Sequence, residues 1–160
     1  SRRYDPGMAT TTPGLVCSHH HLYSALARGM PAPPHQPTRF GEILEQIWWR
    51  LDAALDLAML RASALLGATE ALMSGTTAIV DHHESPNAIE GSLDVIAEAC
   101  AEVGVRSVLA YGVTDRHGPD GARRGLAENV AAAHAIADAV EEKLKKDLEL
   151  EEVTVHVEPC

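Results

Sequence analysis

Aromatic residues are scarce in this 160-residue chain: they make up 4%, with one Phe, two Trp and three Tyr. The core must therefore be aliphatic, filled by Ala, Leu, Val and Ile. No apolar run reaches the roughly 18 residues that a membrane-spanning helix needs, so no membrane partner is expected. The polar, Pro- and Gly-punctuated N-terminus does not read as a signal peptide. Cysteine is sparse too. Cys17, Cys100 and Cys160 are odd in number and widely spaced, which excludes a disulfide framework and points to a reducing, cytoplasmic location. Positive charge is short: 13 Lys and Arg face 23 Asp and Glu, a net charge of −10. Nucleic acid and anionic membranes demand clustered basic residues, so neither is an expected partner.

What is present suits a globular domain with a sizeable core: 46% hydrophobic and 22% charged residues. Hydrophobic periodicity predicts β-α-α-β-α-β-α-β along the chain. Strands are expected at Leu15–His21, Thr76–Asp81, Arg106–Val113 and Val153–Val157. Helices are expected at Glu42–Leu57, Met59–Met73, Ser92–Val103 and Arg124–Leu148. Ser92 is a candidate N-cap, while Gly75 and Gly104 are placed as helix stops. Prolines 31, 33, 34 and 37 make Met30–Pro37 a loop, and Gly112–Gly121 reads as a polar loop. Alternation of this kind builds a parallel sheet covered by helices, an α/β fold.

The residues that stand out chemically end the first strand. Side chains two apart share a strand face, so Leu15, Cys17, His19 and His21 should project to one side and His20 to the other. In α/β folds, ligands bind beyond the carboxyl ends of the strands. Two imidazoles there form a candidate site for one divalent metal, most readily Zn²⁺, with Fe²⁺ or Mn²⁺ as alternatives. Asp81, His82 and His83 end the second strand on the same rim, as pocket lining or as loop hydrogen-bonding groups. Arg28 is a candidate for holding a substrate group or is a solvated loop residue. Cys17 is expected in the core, and Trp48–Trp49 over a helix–sheet seam.

A wider pattern frames these residues. Asp5-x-Gly7-Met8, Pro13-Gly14-Leu15-Val16 and His19-x-His21-Leu22 resemble the opening of the catalytic barrel of the amidohydrolase superfamily. Tyr23-Ser24-x-Leu26-Ala27-Arg28-Gly29-Met30-Pro31, Trp48-Trp49-Arg50-Leu51-Asp52, Ser74-Gly75-Thr76-Thr77 and Asp81-His82-His83 resemble its aminohydrolase/chlorohydrolase branch. The likeness runs to about residue 129. It implies a partial (β/α)8 TIM-type barrel of about four parallel strands with covering helices, with residues 1–13 as an entry segment and 14–130 as the barrel part. It implies His19 and His21 as metal ligands, and hydrolysis of a C–N bond of a small heterocyclic substrate by metal-activated water. It also implies that the later histidines, the proton-shuttling glutamate and the water-orienting aspartate have no counterparts here. The expectation is an N-terminal fragment, inactive alone, whose unpaired edges favour a homo-oligomer.

Residues 131–160 resemble instead the last helix and strand of the cytoplasmic domain of cation diffusion facilitators. That likeness implies a metal-binding role for His156 and Glu158, and a non-catalytic metal-binding or regulatory module as the alternative function. Val155-His156-Val157 also compares with the fifth amidohydrolase strand, which carries a metal-binding histidine.

Overall fold

The computed structural model describes residues 11–149 and 152–155. Its elements run β1 (Leu15–His20), a 3-10 turn (Leu22–Ala27), α1 (Phe40–Ile43), a π-helical turn (Leu44–Trp48), α2 (Trp49–Ala54) and α3 (Leu57–Met73). They continue with β2 (Thr76–His83), α4 (Ser92–Val103), β3 (Arg106–Tyr111) and α5 (Gly118–Leu148). The three strands are parallel in the order β1-β2-β3. This is the α/β arrangement of a partial TIM-type barrel. Among the described residues, no helix is long and apolar enough to cross a membrane.

Helices cover one face of the sheet. Ile79 packs there against Leu22, Ala64 and Ala68 of the preceding helical segments and Ile96, Ala99 and Cys100 of α4. The aliphatic composition thus fills the core as expected. Small residues permit the close approach: a Cβ on Gly67 of α3 would lie 2.9 Å from Leu22 Cδ2. The opposite face carries Val16, Val80 and Val108, which are 65%, 40% and 65% exposed. That face is open.

Local chemistry sets the element ends. Leu55 turns extended after α2, and the Asp56 carboxylate then caps α3 by accepting the Met59 N–H at 2.8 Å, which splits the helical run. Gly75 and Gly104 adopt left-handed φ values of 86° and 89° just past α3 and α4, where side chains are disfavoured. Ser92 is not the N-cap of α4. The Glu128 carboxylate, reaching across from α5, accepts the N–H groups of Gly91 and Leu93, each at 3.0 Å. An acidic group at a helix N-terminus also complements the macrodipole.

Two expectations about strands need correction. The pairs Cys17↔Ile79 and His20↔Asp81 set three steps on β1 against two on β2, a β-bulge. The bulge interrupts simple alternation, so Cys17 packs with the helix-facing core instead of sharing a side with His19. His20 takes that helix-facing side too, near Asp81. The second correction concerns the tail. Residues 152–155 form no strand, while residues 156 and 157 of the expected Val153–Val157 strand lie outside the described residues; Val155 donates its N–H to the Glu141 carboxylate of α5 at 2.7 Å. The helix α5 begins at Gly118, ahead of the expected Arg124, and crosses residue 130 without a break.

Candidate active site

His19 lies in the bulged stretch of β1, and His21 follows just past the strand's carboxyl end. Their Nε2 atoms lie 3.0 Å apart, with the rings edge to face. His21 Nδ1 lies 2.8 Å from the His82 carbonyl oxygen. A carbonyl only accepts, so Nδ1 carries the proton and Nε2 of neutral His21 presents a lone pair. Backbone carbonyls orient metal-binding histidines in the same way. Two nitrogens this close both fit within the roughly 2.0–2.1 Å of one cation that zinc–imidazole bonds require. The donor pair therefore suits a divalent metal. Among the described residues, no group of three His, Cys, Asp or Glu side chains is gathered to hold one. His156 and Glu158 lie outside the described residues.

Beside the pair, a cavity of about 310 Å³ opens at the strand ends. Tyr23, Phe40, Trp48 and Trp49 line it together with His21 and His82. A chain with one Phe, two Trp and three Tyr thus commits four of its six large aromatics to one cavity. The Trp48 and Tyr23 rings approach His21 edge-on, each with centroids at 5.8 Å. The π-helical turn ends at Trp48, and such turns often mark functional segments. Both tryptophans are cavity wall, and Trp48 also packs against the buried cluster of Tyr23, Leu55 and Leu60.

The sequence did not single out the polar side of this cavity. Arg116, from the loop after β3, donates to Asp52 Oδ2 at 2.9 Å and to Glu84, and stacks over Trp49 at 4.9 Å. Asp52 is only 2% exposed. Burial pushes its carboxyl up from the usual range, while Arg116 pulls the other way. Burial, followed by Asp52 and Glu84, pushes the Tyr23 hydroxyl up, so it stays protonated. Asp52, Glu84 and Arg116 come from three segments far apart in sequence, so no local motif joins them. Their one legible feature is position: loops after parallel strands, and a helix face shared by Trp48 and Asp52 four residues on.

The other sequence candidates separate. Asp81 is buried on the helix side, where its carboxylate accepts the Leu22 N–H at 2.6 Å and fixes the chain after β1. Burial pushes its carboxyl up to about 7. His83 is buried between Tyr23 and Tyr111, with Nε2 at 3.0 Å from Ser85 Oγ. Since Ser85 donates its hydroxyl to the Ala88 carbonyl, His83 Nε2 carries the proton. Burial, with His82 adding, pushes the His83 ring down to about 3. His82 alone of this trio lines the cavity, and burial lowers its ring as well. Arg28 pairs with Glu70 on the surface at 2.7 Å and lines a second cavity along β1 together with His20 and His21.

Comparison with known proteins accords with this geometry. An 8-oxoguanine deaminase from Pseudomonas aeruginosa is 35% identical over 113 residues, 69% of this chain and 24% of that protein. A 5'-deoxyadenosine deaminase from Methanopyrus kandleri is 36% identical over 107 residues, 64% of the chain and 21% of that protein. A 5-methylthioadenosine/S-adenosylhomocysteine deaminase from Haloarcula marismortui is 30% identical over 134 residues, 83% and 28% of the two chains. The chain thus spans about a quarter of the length of these relatives. The family match itself covers residues 10–157, through α5 and the segment after it, and the chain belongs to the amidohydrolase family.

Proposed function

We propose that the chain carries the first-strand part of a metal-dependent hydrolase site that deaminates a small planar heterocycle. The observation that carries this reading is the convergence of His19 and His21 Nε2 to 3.0 Å beside an aromatic-walled cavity. His19 and His21 would hold the divalent cation, zinc most readily, with iron or manganese as alternatives. What such a cation supplies is Lewis acidity, which brings water within reach of ionisation near neutral pH. The chain's own residues orient and flank the metal-binding nitrogens. The His82 carbonyl holds the His21 proton on Nδ1 and so keeps Nε2 free. Tyr23 and Trp48 flank that ring and screen it from water. A flat ring entering between these aromatics would stack on them, as π-faces do. The net reaction adds water at the ring carbon bearing the amine and releases ammonia.

Catalytic zinc usually has at least three protein ligands, so this pair alone is an incomplete set. Further ligands and the proton shuttle belong to residues outside those described, and activity is expected only where they are present. The relatives named as purine and nucleoside deaminases support a substrate of that class. The facilitator likeness of residues 131–160, with His156 as ligand, rests on sequence alone. Metal analysis of the purified chain tests both assignments. In equilibrium dialysis against zinc, the wild type is expected to bind it, His19→Ala/His21→Ala to lose that binding, and His156→Ala to keep it. Full retention by the double variant would overturn the first-strand site, and loss in His156→Ala would move the ligand set to the tail.

A further inference from the structure

Ser63 of α3 is fully buried, and its hydroxyl enters the 3-10 turn Leu22–Ala27 that follows the metal candidates. It donates to the Leu22 carbonyl at 2.8 Å and accepts the Leu26 N–H at 3.2 Å. Leu22 and Leu26 are four apart, so these two groups would bond directly to each other in an α-helical turn. The serine oxygen stands between them, and the segment is 3-10 instead of α-helical. Gly67, four residues on along the same face of α3, completes the seat. A Cβ there would lie 2.9 Å from Leu22 Cδ2 and 3.4 Å from Ala25 Cβ. From β2, the Asp81 carboxylate accepts the Leu22 N–H at 2.6 Å. Leu22 is thus held by its N–H, its carbonyl and its side chain.

We propose that Ser63 is a positioning residue for the metal-binding pair: its hydroxyl wedges the turn open and so sets the His21 ring. That ring is aimed by the His82 carbonyl, 2.8 Å from Nδ1, and flanked by the Tyr23 ring at 5.8 Å. His21 and Tyr23 are the two neighbours of Leu22 in the chain. Asp81 grips the peptide between His21 and Leu22, and Ser63 grips the peptide between Leu22 and Tyr23. Without the hydroxyl, the Leu22 carbonyl and the Leu26 N–H close on each other. The second peptide then turns, and Tyr23 and His21 lose their mutual alignment. The role is indirect, like that of the outer partners that orient metal-binding histidines in general.

Imidazole nitrogen chemical shifts of the metal-free protein test it. At about pH 8 an ordinary histidine is neutral, and the shifts report which nitrogen carries the proton. The His21 signal is identified by its absence in His21→Ala. The wild type is expected to carry the proton on Nδ1. Ser63→Ala is expected to move the population toward Nε2–H and to raise the zinc dissociation constant at least ~10-fold in equilibrium dialysis. Ala68→Gly separates positioning from general loosening, since Ala68 is equally buried on α3 and packs in the same core cluster as Leu22. It is expected to lower the unfolding midpoint and leave both readings at wild-type values. Ser63→Cys keeps the volume but weakens both hydrogen bonds, so it serves where the alanine variant fails to fold; a smaller shift in the same direction is expected. A wild-type His21 protonated on Nε2, unmoved readings in the Ser63 variants, or equal shifts in Ala68→Gly would overturn the proposal. The zinc measurement rests on the reading of His19 and His21 as metal ligands, whereas the proton position does not. If the wild type binds no zinc while the proton shifts as expected, the metal reading falls and the positioning role stands. If zinc binds and neither reading moves in the variants, the positioning role falls alone.

Discussion

Both β1 and β2 end in histidines, and the two ends do opposite things. His19 and His21 turn toward the open side of the sheet, with nitrogens facing each other and one proton held by a backbone carbonyl. His83 turns into the helix-covered side, where two tyrosines enclose it and Ser85 takes its proton in a hydrogen bond. Asp81, two residues earlier on the same strand face, is likewise buried and serves the Leu22 N–H. Residue type alone therefore does not mark a site. Which face of the strand the residue occupies decides whether an imidazole presents a lone pair to a ligand or fills the core.

Substitutions break this comparison from either end. His83→Ala leaves a buried hole and an unmatched Ser85, and is expected to cost about 2–4 kcal/mol in urea unfolding. Zinc retention by the surviving folded protein should be unchanged. A stability loss under about 1 kcal/mol would mean that His83 does not serve the core. The double variant His19→Ala/His21→Ala is expected to behave in reverse, losing metal while its metal-free unfolding midpoint stays near that of the wild type.

Titration gives a second, smaller contrast. Burial raises the Asp81 carboxyl from 3.8 to about 7, so between these values the folded chain holds a proton that the unfolded chain has released. Its contribution to stability is therefore full at low pH and falls as pH rises toward 7. Burial lowers His83 from 6.5 to about 3, so there the unfolded chain holds the extra proton. Its contribution is full above 6.5 and falls as pH drops toward 3. Over their shared window, the two slopes oppose each other and nearly cancel. Asp81→Asn keeps an acceptor for the Leu22 N–H but removes one slope. The variant's stability should then rise steeply with pH from about 4 to 6, where the wild type changes less; equal slopes would contradict the burial of one group or the other.

The smallest effect is expected at Arg28→Ala. The Arg28–Glu70 pair is solvent-exposed, so screening leaves it little to contribute to stability. Zinc content and the thermal midpoint should both match the wild type. A loss of metal would tie Arg28 to the metal site through the cavity that it shares with His21.

Much of the scaffold was legible because short-range patterns dictate it. The α4 boundaries follow from its apolar stripe and from Gly104, which tolerates the left-handed turn beyond it. The first two metal candidates were legible because H-x-H at a strand end is itself a local pattern. The bulge was not, since it depends on how β1 registers against β2, sixty residues on. Nor was Arg116 legible, since its meaning comes from Asp52 and Glu84, which reach it only through the fold. The Val153–Val157 strand was expected from its β-branched alternation. The described part of it finds a helix carboxylate in place of a strand partner.

The Glu128 bond to α4 has a consequence for synthesis on the ribosome. The amides of Gly91 and Leu93 wait for a carboxylate that lies 37 and 35 residues further along the chain. While the nascent chain still ends within β3, the start of α4 has no acceptor of its own to close it. That turn is completed only after the first part of α5 has left the exit tunnel, so the last helix finishes an element made well before it.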